Sequence, residues 1–184
     1  MRRNITRVRF ARVLTLTVVL IAGCSDDGNG NSVSTTSAGI AVDVTDACTF
    51  LSTDDFAAVG FTVDGDPEDV SDRFSLSTTS SVACQWMTSD DNISSSWELV
   101  IGSGGAEAAY ALELSFAAQD TITTVDLGGE AFLADIASSF DSADHDFEVG
   151  VRIDDTFFTL STTDDRGAEA IVALTALVAD QLGA

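Results

Sequence analysis

The sequence predicts an α+β fold: an antiparallel sheet of about five to seven strands, two or three helices packed on it, and one disulfide. Runs of alternating apolar and polar residues, joined by short polar turns, predict the sheet. Segments with apolar residues at helical spacing, set between and after those runs, predict the helices. A hydrophobic fraction of 45%, with 11 Phe and two Trp, supplies a core and excludes a wholly disordered chain.

The folded region begins near Asp46. Leu51-Ser52-Thr53-Asp54-Asp55-Phe56 has the form of a capping box, with Ser52 as N-cap and Asp55 at N3. Leu51 and Phe56 sit where a hydrophobic staple closes. This helix is expected to run to Val59 and stop at Gly60. Asp64 to Ser81 holds the only proline, several acids and a Ser/Thr run, the composition of a surface excursion with a short strand near Phe74–Leu76. Val82 to Met87 is a strand that places Val82, Cys84 and Trp86 on one face. Trp97, Leu99 and Ile101 do the same on the next run, with Thr88 to Ser96 as the connection. The result is a hairpin whose inner face carries the disulfide and both tryptophans.

A helix follows from about Gly105 to Ala118, with Ala109, Leu112 and Phe116 as its apolar stripe. Ile122–Leu127 and Glu130–Ile136 flank a Gly128-Gly129 turn. Phe147, Val149, Val151 and Ile153 alternate with Asp146, Glu148, Gly150 and Arg152, a strand with one face in solvent. An Asp154-Asp155 turn returns into Phe157–Leu160. The last helix begins after Asp164-Asp165, where negative charge suits the helix dipole. Its stripe is Ile171, Leu174, Leu177/Val178 and Leu182.

A length of 184 residues is that of one domain plus a short attachment. The formal charge is −22, all eight cations are arginines, and five of them lie in the first 12 residues. That balance excludes a nucleic-acid binder, which needs cations against phosphate. Met1 to Arg12 is followed by the ten-residue apolar run Val13–Ala22 and then Gly23-Cys24. This is the grammar of an export signal. Ten helical residues reach roughly 15 Å, about half of a bilayer core, too short to span. Leu20-Ile21-Ala22-Gly23-Cys24 resembles a bacterial lipobox, in which the cysteine is lipidated and becomes the mature N-terminus. The expected organisation is a lipoprotein signal peptide over 1–23, a Ser/Gly/Asn-rich tether over 24–44, and one globular α+β domain over 45–184. The expected location is the outer face of the cell membrane. A chain starting at Cys24 keeps three arginines against 30 acids, a formal charge of −27. A saline habitat and a generally acidic exported proteome both account for that excess.

Three cysteines in an exported chain, with Cys24 assigned to lipid, leave Cys48 and Cys84 as one pair in an oxidising compartment. A redox or metal role for the pair lacks a C-x-x-C spacing, and the chain has one histidine.

Asp46-Ala47-Cys48 before Leu51-Ser52-Thr53 and a short helix ending at Gly60 is one motif. Cys84-Gln85-Trp86 is the second, Leu127-Gly128-Gly129-Glu130-Ala131-Phe132 the third, and an acidic-started final helix completes the order. Behind a lipobox, this order resembles the small cell-envelope lipoproteins of actinobacteria that form a family of unknown function. The likeness spans about Asp46 to Leu182, with Gly129 standing where the pattern has an acid. It implies a lipid-anchored envelope domain with a Cys48–Cys84 bridge, and no reaction.

The only histidine, His145, lies in Asp141-Ser142-Ala143-Asp144-His145-Asp146 and is the one base available to a nucleophile–His–acid catalyst. A polar loop histidine is the plainer reading. Oxygen-rich runs suit calcium: Asp64, Asp66 and Glu68 in one stretch, Asp141, Asp144 and Asp146 in another. Neither has EF-hand spacing, and solvated acidic loops give the same pattern. Trp86 and Trp97 fit a ligand pocket or, beside a disulfide, the core. The functional expectation is a lipid-anchored envelope lipoprotein acting as a non-enzymatic binding or interaction module, without a cofactor. Its partners would be the membrane, through the lipid on Cys24, and an envelope protein or small ligand. The alternatives are an envelope hydrolase using His145 and a structural or assembly lipoprotein.

Overall fold

The computed structural model describes residues 44–90, 93–117, 121–137 and 145–184. Cys24, the signal segment, the tether to Asp43, and Asp141 and Asp144 lie outside the described residues.

The capping box forms as the sequence dictates. Ser52 Oγ accepts from Asp55 N, and the Asp55 carboxylate accepts from Ser52 N at 2.7 Å. The helix it starts, α1 (Thr53–Ala58), ends at Gly60, whose φ of +92° is the left-handed conformation a glycine adopts freely. A 3₁₀ turn, Ala47–Thr49, precedes it, capped by the Asp46 side chain on Cys48 N. That turn carries Cys48 to Cys84, and the two form the disulfide, with Cα atoms 5.0 Å apart.

Seven strands form one antiparallel sheet: β1 (Glu68–Asp69), β2 (Ser80–Asp90), β3 (Ile93–Ser103), β4 (Thr121–Thr124), β5 (Glu130–Ala137), β6 (His145–Ile153) and β7 (Thr156–Thr162). Their spatial order is β1-β2-β3-β7-β6-β5-β4. The two longer helices are α2 (Ala106–Ala117) and α3 (Ala168–Leu182). The fold is therefore α+β, with helices on both faces. On one face α1, the 3₁₀ turn and α3 enclose the main core of Trp86, Trp97, Leu99, Val149, Val151, Phe158 and Leu160. On the other, α2 crosses from β3 to the far edge strand β4. In doing so it covers Phe157 on β7 and Phe132 and Ala134 on β5.

Several local expectations change. The polar stretch Thr88–Ser96 is mostly strand, with Thr88 opposite Ser95 and Ser89 opposite Ser94. Its buried hydroxyls have partners that cancel the cost of desolvation: Thr88 Oγ1 accepts from Trp97 Nε1 at 3.2 Å, and Ser95 Oγ donates to Asp164 at 3.1 Å. The strand expected at Phe74–Leu76 lies instead at Glu68–Asp69, paired with Gln85 and Cys84. Phe74 and Leu76 serve as a plug over Val70, Ala83 and Val100. In α2 the stripe is rotated: Ala106, Ala109 and Ala117 face the sheet, while Leu112 and Phe116 face solvent. Small residues face inward there because the facing strand positions already carry Phe132 and Phe157. In α3 the Leu177/Val178 ambiguity resolves to Val178, which is fully buried. The last helix begins after Asp164-Asp165 as expected, and Asp164 has a further role. It is buried, and it accepts from Ser95 Oγ and from Arg166 N, Nε and an Nη.

Candidate functional site

The strand β6 was expected to keep one face in solvent. That face is roofed by α2. Directly across the sheet from Glu148 stand Ala134 on β5 and Ser161 on β7, and beyond Ser161 comes Glu98 on β3, then Gln85 on β2. Gln85 Nε2 donates to Glu98 at 2.8 Å. The row thus places Glu98 and Glu148 on the same face, either side of Ser161.

Glu113 enters this row from above. The inward stripe of α2 runs Ala106, Ala109/Tyr110, Glu113, Ala117, at steps of three and four, so a carboxylate occupies the middle of an otherwise small and apolar face. Burial raises the Glu148 carboxyl to about 7, and repulsion from Glu113 adds to the rise. Burial alone raises Glu113. Further along the face, Arg152 donates Nε to Glu130 at 2.7 Å. Tyr110 lies close enough that burial first, then the Glu130 charge, raises its hydroxyl pKa against the opposing pull of Arg152. The positive charge nearest this surface is therefore already committed to a carboxylate of its own.

His145 opens β6 and is half-buried. Its Nδ1 lies 2.6 Å from Asp135 Oδ1, and its ring stacks at 6.5 Å on Phe147. The acid beside the histidine is therefore Asp135, supplied by the neighbouring strand; Asp144, its neighbour in sequence, lies outside the described residues.

The first calcium candidate is dispersed. Glu68 pairs with Arg73, and Asp69 next to it accepts from Ser71 Oγ at 2.6 Å. Asp64 and Asp66 stand exposed, and Asp146 lies on the α2 face of β6. Among the described residues no group of three His, Cys, Asp or Glu side chains is placed to hold an ion. Trp86 and Trp97 are core residues, at 1% and 0% exposure.

Sequence reasoning missed Glu113, Glu148 and Asp135. The signal for Glu113 was present in the alanine spacing of 106, 109 and 117, which marks a tight helix–sheet contact with Glu113 inside it. For Glu148 and Asp135 no local signal existed, because which strand face a helix covers depends on the crossover.

No family model, curated protein or solved structure matches the chain. No helix among the described residues is long and apolar enough to cross a membrane.

Proposed function

We propose that the chain is a lipid-anchored lipoprotein of the cell envelope, held on the outer face of the membrane through Cys24, whose globular domain is a non-enzymatic interaction module. The observation that carries the anchor is the division of the cysteines. Cys48 and Cys84 bond to each other, which leaves the third, at the end of an Arg-rich then apolar leader, for lipid. For the domain, interaction is favoured by the outer surface of α2, where Phe116 is 58% exposed and Leu112, one turn before it, 38%.

The test is metabolic labelling with a fatty acid in a bacterial host that processes lipoproteins. The wild-type chain is expected to take up label and sediment with membranes, and Cys24→Ser to lose both. An unlabelled wild type, or a labelled variant, would sink the anchor. A photo-crosslinker placed at position 116 is expected to trap an envelope component; crosslinks no more frequent than from an exposed control position would remove the interaction role.

The hydrolase alternative keeps one observation in its favour, the His145–Asp135 contact at 2.6 Å. Turnover of an ester, amide or glycan substrate that disappears in His145→Gln would favour it over the module.

A further inference from the structure

We propose that Glu113 and Glu148 form a proton-dependent latch for α2. With a proton on either carboxyl the helix lies on β5–β7. With both ionised, its C-terminal half lifts from the sheet about Gly104-Gly105.

The two halves of the helix are held differently: hydrogen bonds anchor its N-terminal end, whereas among the described residues its far half is held by apolar packing and by Tyr110, whose ring lies against Phe132 and Phe157. Asp155, in the β6–β7 turn, holds Gly105 N at 3.1 Å and Ala106 N at 3.5 Å through Oδ1, and its carbonyl accepts from Gly104 N. Just before the helix, Gly104 and Gly105 both have positive φ, +78° and +92°, so the pivot consists of residues that change backbone conformation at little steric cost. Ala106 and Ala109 pack on Phe157 beside that anchor. The far half rests on Leu114 and Ala117 against Phe132, Ala134, Ile122 and Ile136. Between anchor and far half lie the two carboxyls.

Among the described residues, the cation on this face is Arg152, and it is paired with Glu130 rather than with either carboxyl. On β6, Asp146 and Arg152 share the face with Glu148, and Arg152 is engaged by Glu130 of β5. Toward β7 the neighbours are the uncharged Ser161 and Thr159, and the next charge, Glu98 on β3, is negative. From α2 the facing charge is Glu113. A carboxylate buried without a cation is costly, so the interface relieves the cost by keeping a proton or by opening. The direction follows from the closed-state value of about 7 for Glu148 against its ordinary 4.5. Closure is fully favoured below the ordinary value and is lost as pH rises through the closed-state value. Opening would expose Phe132, Ala134 and the inner face of α2, next to the already exposed Leu112 and Phe116. The interaction surface proposed above would thereby enlarge with pH, although the latch itself rests on the helix–sheet contact and stands whatever the partner is.

Hydrogen exchange on the full-length chain tests this, with rates corrected for the intrinsic pH dependence, at about pH 5 and about pH 8. The opening constant of α2 amides is expected to rise on the order of a hundred-fold between the two, while α3 amides stay protected. Glu148→Gln and Glu113→Gln each mimic a protonated acid in shape, and each is expected to flatten the rise. Should Glu148→Gln fail to fold, Glu113→Gln carries the test. Equal α2 protection at both pH values, an unchanged pH response in the glutamine variants, or loss of α2 and α3 protection together would each overturn the latch.

Discussion

Trp86 and Trp97 stand opposite one another across the β2–β3 hairpin, and Phe56 closes over both, its ring centroid 5.5 Å from each. A six-residue helix is too short to be stable alone, so α1 exists because Phe56 is anchored in this aromatic nest and the capping box fixes its first turn. Phe56→Ala is expected to cost about 3–5 kcal/mol, through lost transfer energy and a cavity beneath both indoles. Urea unfolding followed by tryptophan fluorescence measures it. A loss below about 1 kcal/mol would mean that the nest collapses around the gap.

The two tryptophans are not equivalent. Trp97 Nε1 donates to Thr88, whereas Trp86 Nε1 is buried without a partner among the described residues. Replacing Trp97 by Phe therefore takes away the donor to the Thr88 hydroxyl, which keeps only its long bond to the Ser95 carbonyl, and replacing Trp86 by Phe removes an unsatisfied donor. Trp97→Phe is expected to destabilise by about 1–2 kcal/mol more than Trp86→Phe. Equal costs in parallel melts would show that the Thr88 bond contributes nothing net.

The disulfide closes a loop with a sequence separation of 36 and ties the 3₁₀ turn to the centre of β2. Its removal in a Cys48→Ala/Cys84→Ala double variant is expected to cost about 3–4 kcal/mol, from loop-closure entropy in the unfolded chain. The slope of the denaturation curve should change as well, because the uncrosslinked chain exposes more surface on unfolding. A double variant as stable as the parent would place the stabilisation elsewhere.

How much of this was legible beforehand follows from the range of each signal. The capping box and the Gly60 stop depend on neighbours within a few residues, and both lie where the sequence put them; Gly128-Gly129 instead ends a longer connection, because β4 stops at Thr124 and not at Leu127. The α+β class and the cysteine pairing followed from periodicity and arithmetic. The errors fall where distant chain decides. Thr88 and Ser95 look like loop residues until Trp97 and Asp164 are brought to them. Leu112 and Phe116 look like a core stripe until the crossover lays α2 on strands already filled with Phe132 and Phe157. Asp164 reads only as a charge ahead of the last helix until Ser95, 69 residues away, donates to it. Glu148 belongs with these, since alternation states that two faces exist and is silent on which of them a helix will cover.

On the acid side, stability depends on Asp164. Burial alone would raise its carboxyl, but hydrogen bonds from Arg166 and Ser95 outweigh that and hold it below the ordinary carboxylate value. A depressed carboxyl stabilises the fold above its unfolded-state pKa, and the gain is lost as pH falls through the folded-state value. Asp164→Asn is expected to cost about 2–3 kcal/mol at neutral pH, since it removes charged hydrogen bonds and leaves Ser95 and Arg166 poorly matched. The cost should shrink toward zero in strong acid, where the wild type has lost the same charge. A difference that stays constant down to that range would assign the effect to packing.

On the neutral side the sign reverses at Glu148. Its carboxyl is raised from 4.5 to about 7 in the fold, so it favours the folded state in the protonated form and opposes it once ionised. Its contribution is complete below the ordinary value of 4.5 and disappears as pH rises through about 7. A glutamine of the same shape cannot ionise and escapes that penalty. Glu148→Gln is therefore expected to be nearly neutral at about pH 4 and stabilising by up to about 3 kcal/mol at about pH 8. Release of α2 alone would cap the gain at the free energy of that opening. Thermal melts of the two chains across this range should start together and separate as pH rises. Curves that run parallel would mean that Glu148 ionises in the fold as freely as it does in the unfolded chain, and that α2 does not seal it from water.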